Sequence, residues 1–111
     1  MSDWYSFKEG ESIGQTGSEG GKILCDEEHV DGARVTLERV SDSRFTITCG
    51  IYGWMVHTRF FDSEATARIG FDETKNELSK IIALIPTEDE ANDENIRAAE
   101  NAVSDFVERC Q

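Results

Sequence analysis

At 111 residues the chain has the size of one domain, so a single hydrophobic core is expected. Hydrophobic residues make up 38% and charged residues 31%, a balance too apolar for a disordered chain, and no apolar run is long enough to cross a bilayer. The formal net charge of −12 disfavours nucleic acid and anionic membrane as direct partners, because like charges repel phosphate.

That charge sits mainly at the two ends. Residues 1–29 carry seven acids and two bases and residues 87–111 carry eight and two, whereas the stretch between them carries eight acids and seven bases. Such a field favours solubility and steers a basic protein partner. The start, Met1-Ser2-Asp3-Trp4, lacks the basic and then apolar stretch of a secretory signal, so a cytoplasmic location is expected. The three cysteines, Cys25, Cys49 and Cys110, are odd in number and widely spaced, a poor disulfide framework.

In chain order, residues 1–20 read as a glycine-spaced segment at the front of a single domain spanning 1–111. Its aromatic residues Trp4, Tyr5 and Phe7 are expected to tuck against the body as a short strand or helical turn. From 21 to 61 the hydrophobic period is two. Four antiparallel strands are expected at about 21–28, 32–39, 43–50 and 53–61, joined at 29–31, 40–42 and 50–53.

Pairing Cys49 with Trp54, Leu37 with Phe45 and Cys25 with Val35 makes one face apolar across all four strands. The same register sends Arg34, Arg44, His57 and Arg59 to the other face, among Thr36, Thr46 and Thr48. Lys22–Glu38 and Asp26–Arg34 are expected as opposite-charge pairs there, while Arg44 facing Arg59 is repulsive.

After the sheet the period becomes helical. Asp62 or Ser63 caps a helix that runs to about 85, where Pro86 stops it, with Phe71, Leu78, Ile82 and Ile85 on its stripe. Thr87 and Glu90 have the spacing of a capping box for a second helix at about 88–110, striped by Ile96, Ala99, Val103 and Phe106. Two antiparallel helices, 63–85 and 88–110, laid on the apolar side of a four-stranded meander give an α+β sandwich.

Catalytic motifs are weak. Cys25, the acids 26–28, His29, Cys49 and His57 supply metal-ligand types without metal-ligand spacing. Glycines 14–21 lead into a strand rather than a helix, unlike a phosphate loop. No serine or cysteine has a base and an orienting group in reach, so no catalytic residue, metal or cofactor is assigned.

The remaining candidate is the basic island of Arg34, Arg44, His57 and Arg59. Either Asp26 and Glu38 neutralise it or the N-terminal segment covers it, or it serves an anion, ligand or partner, or a sheet-to-sheet homodimer. The expected function is a small acidic interaction domain, of inhibitor or immunity type, that binds a basic protein. The alternatives are a small-ligand domain or minor enzyme using the polar face, and a dimeric adaptor.

Overall fold

The computed structural model describes residues 3–110. Strand β1 (Trp4–Ser6) is followed by a tight turn over Phe7–Gly10 and a loop to Gly21. Then come β2 (Lys22–His29), β3 (Ala33–Ser41), β4 (Arg44–Ile51) and β5 (Met55–Phe61), and finally helices α1 (Glu64–Ile82) and α2 (Asp93–Arg109). The strands form one antiparallel sheet in the order β1-β2-β3-β4-β5. The α+β class and the meander are as expected, with a fifth strand where the N-terminal aromatics dock beside β2.

The core lies between the sheet and α1. Val35, Leu37, Ile47 and Cys49 alternate inward from β3 and β4, and Ala67, Phe71, Leu78 and Ile81 meet them at helical spacing. Full burial of each large apolar side chain is worth about 1.5–3 kcal/mol, which fixes the side of the sheet that α1 must cover. Phe106 and Cys110 bring the end of α2 into the same core.

Helix ends follow their caps. Ser63 accepts a bond from the amide of Thr66 and starts α1 as expected. The second helix begins later than the sequence spacing suggests. Thr87 and Glu90 do bond to each other, but they close an isolated turn, and Asn92 is the residue that caps α2 through the Asn95 amide at 2.8 Å.

Register is where expectation and structure part. Cys49 stands opposite His57, Ile47 opposite Arg59 and Phe45 opposite Phe61, instead of opposite Trp54, Val56 and Thr58. The cause is the turn. Strand β4 runs on to Ile51, and Tyr52, Gly53 and Trp54 make a three-residue loop in which Gly53 takes φ 81, a conformation open chiefly to glycine. The shift is odd in number, so every β5 side chain changes face.

At the other hairpins the shift is even or local. Val35 pairs with Cys49 and Leu37 with Ile47, one row along from the expected partners, so the same residues still point inward. A bulge between Ile23 and Cys25 puts Ile23 opposite Glu38, on the side away from the helices.

Candidate functional site

The four residues of the expected basic island do not meet. Arg34 and Arg44 lie on the open face of the sheet, whereas the β5 register turns His57 and Arg59 under the helices. Arg34 and Arg44 are themselves far apart. Gly50 is opposite Arg34, and Arg44 is six residues further back along β4, roughly 20 Å at the rise of a strand.

Each of the four is occupied within the fold. Arg34 grips the buried carboxylate of Asp26 with two bonds of 2.9 and 2.7 Å, and the Phe7 ring lies 3.6 Å from its guanidinium carbon. Thr36 adds a third bond to Asp26 at 3.0 Å. Arg44 reaches over the ring of Phe60. His57 donates its Nε2 proton to the carbonyl of Cys110 at 2.7 Å, with Phe106 edge-on to its ring. Arg59 donates to Thr74 at 2.8 Å and pairs with Glu73 at 3.1 Å.

The acids at 26–28 are likewise consumed internally. Glu27 pairs with Lys75 at 3.2 Å. Glu28 accepts the phenol protons of Tyr52 at 2.7 Å and Tyr5 at 2.8 Å. These bonds hold the Glu28 carboxyl below its ordinary value, while burial, reinforced by Glu28, pushes the Tyr52 phenol up to about 12.

The N-terminal segment does cover part of the open face, as one reading of the sequence has it. Phe7 caps Arg34, and the loop is pinned by Glu38, whose wholly buried carboxylate accepts the amides of Gly21 at 3.0 Å and Glu19 at 3.2 Å. Gly17 packs directly on that carboxylate, where a Cβ would overlap it. Trp4 goes to the opposite face and donates to Ser79 of α1 at 3.0 Å.

Between this loop and the Tyr52–Trp54 turn the face is left bare. A hollow of about 620 Å³ opens there, with Ile23, Trp54 and Val56 on its walls and Arg34, Thr36 and Thr48 among its polar lining. The backbone of Gly50 contributes no side chain to fill it. The hydroxyl of Thr48 is buried without a hydrogen-bond partner. Beside the hollow, Val56 is 81% exposed and Phe60 57% exposed. A smaller polar recess under the loop shares Gly17, Ser18, Ile23 and Arg34 with it.

The sequence reading missed Trp54, Val56 and Phe60 as members of this face. The available signal was Met55 and Phe61, two large apolar residues sharing one parity of β5 with His57 and Arg59.

Burial pushes the Cys49 thiol up to about 12, and it raises that of Cys25 against the opposing pull of Arg68, so neither is an activated nucleophile. Among the described residues no three His, Cys, Asp or Glu side chains are grouped to hold a metal ion, and no helix is long and apolar enough to cross a membrane. No protein-family model, curated protein or solved structure matches the chain.

Proposed function

We propose that this chain is a small acidic binding domain of the cytoplasm whose working surface is the open face of its sheet. The hollow takes an apolar anchor, an aromatic or branched side chain, from a basic partner protein. The carrying observation is the hollow itself: an apolar-walled cavity on the one sheet face that the helices leave bare, flanked by exposed Val56 and Phe60. Large exposed apolar patches mark interaction sites in small soluble domains. The net charge of −12 supplies the long-range attraction, with Glu88 and Asp89 in the turn before α2 and Asp93 and Glu94 in its first turn exposed to contribute.

The hollow is also within the size range of small-molecule sites, which supports a second reading, a neutral ligand bonded to the Thr48 hydroxyl. An anion is disfavoured, because the charge of Arg34 is already neutralised by Asp26.

The test is native mass spectrometry on the protein purified gently from its own source, as wild type and as Val56→Asp. A macromolecular adduct of mass other than a second 12.4 kDa copy of this chain, present on the wild type and lost in Val56→Asp, supports the partner reading, and a small added mass lost in the same way moves the assignment to a ligand. An adduct that Val56→Asp retains contradicts both.

A further inference from the structure

The two edges of the sheet are built differently. β1 is three residues long, and Lys8 and Glu9 just beyond it take positive φ values of 49 and 57, which end the strand and fold the chain back over the open face. β5 at the other edge is seven residues long, and its register with β4 has no bulge. It contains no proline, glycine or acid. Its one arginine, Arg59, is turned inward, where its two terminal nitrogens meet Thr74 and Glu73 while its Nε is buried without a partner. Natural sheets shorten, charge, bend or cover their edges to prevent pairing, and the outward face of β5 presents Val56 and Phe60 to solvent instead.

We infer that β5 pairs with β5 of a second copy of this chain, antiparallel about a two-fold axis through Thr58. Thr58 is the midpoint of Met55–Phe61, so this register uses the whole strand. It is also self-complementary. On the open face Val56 stands opposite Phe60 of the partner subunit, and on the helix face Met55 stands opposite Phe61 of the partner subunit. Apolar residues meet apolar ones at both positions, as cross-strand pairs in sheets prefer. The two five-stranded sheets join into one continuous sheet through an isologous contact. Val56 lines the hollow, so Phe60 of the partner subunit extends its rim.

The pairing stands apart from the occupant of the hollow and has its own electrostatic signature. Two chains of charge −12 repel, and the Glu19 carboxylate, which accepts from the Thr58 hydroxyl at 3.2 Å, brings an acid of each copy close to the axis. Added salt therefore tightens the dimer, the reverse of its effect on a basic partner.

The test is sedimentation equilibrium on the full chain at low and high sodium chloride, with Val56→Lys and Phe60→Lys as variants. The expected result is a monomer–dimer equilibrium that salt strengthens, and whose dissociation constant rises at least ~10-fold in each variant. A Thr58→Cys chain treated with a short thiol–thiol crosslinker gives a 58-to-58 linked dimer by peptide mass spectrometry, whether or not the lysine variants fold. A chain that stays monomeric up to roughly 1 mM, a dimer that ignores Phe60→Lys, or one without the 58-to-58 link overturns the inference.

Discussion

Val56 stands opposite Gly50 in the ladder of β4 and β5, so one of two facing positions on the open side of the sheet carries no side chain. That pairing leaves the hollow its floor. The same odd register that exposes Val56 hides His57 and Arg59, and it makes the bare face apolar where the sequence suggested a basic one.

Substitutions at the rim are expected to separate binding from folding. Val56 is 81% exposed in the single chain, so at concentrations low enough to keep the chain monomeric Val56→Asp changes unfolding stability by no more than about 0.5 kcal/mol, the usual range for surface positions. Urea unfolding checks this, and a loss of several kcal/mol would mean that the strand face is structural.

The Asp26–Arg34 pair predicts an asymmetry. The Asp26 side chain is fully buried, whereas that of Arg34 is 35% exposed. Arg34→Ala strands a buried carboxylate with Thr36 as its remaining partner and is expected to cost about 3 kcal/mol. Asp26→Asn leaves a guanidinium that water can still reach and costs roughly 1–2 kcal/mol. Equal costs would show that the carboxylate is better solvated than its burial implies.

The tyrosine–glutamate bridge gives the pH dependence. Glu28 is held below its unfolded value, so its contribution is present above that value and is lost as pH falls through the folded one. Tyr52 is shifted up, so its contribution is complete below its unfolded value of 10.0 and is lost as pH rises through about 12. Tyr52→Phe is therefore expected to raise the Glu28 pKa, read by carboxyl carbon NMR, and to remove this alkaline loss. An unmoved Glu28 titration would show that the bridge does not form in solution.

Gly17 tests the anchoring of the loop. Gly17→Ala places a methyl group against the Glu38 carboxylate, which cannot withdraw without abandoning the amides of Glu19 and Gly21. A cost of about 1–3 kcal/mol is expected, as for overpacking elsewhere, with faster hydrogen exchange at Gly21. Unchanged exchange at Gly21 would mean that the loop holds without Glu38.

Much of the fold was legible because parity survives small errors. The expected partners in β3 and β4 are off by one row, yet Val35, Leu37, Ile47 and Cys49 still face inward, since an even shift preserves the face. The site was less legible because an odd shift does not. The sequence reading puts both Gly50 and Gly53 in the turn, whereas Gly50 belongs to β4 and only Gly53 of the two lies in the loop. Packing sets the register: Phe61 and Met55 join the core, and Thr74 and Glu73 engage the terminal nitrogens of the arginine that comes with them. The Asp26–Arg34 pair was anticipated as a direct opposition and forms instead across a diagonal, within reach of a long arginine side chain.

The most direct test of the open face as the working surface uses the two tryptophans. Trp54 borders the hollow, and Trp4 lies on the opposite face bonded to Ser79. Their indole N–H signals are followed by NMR as the partner recovered with the native protein is added. The account predicts that the Trp54 signal shifts and that of Trp4 stays in place. A shift of Trp4 with Trp54 unmoved would put the working surface on the other side of the molecule.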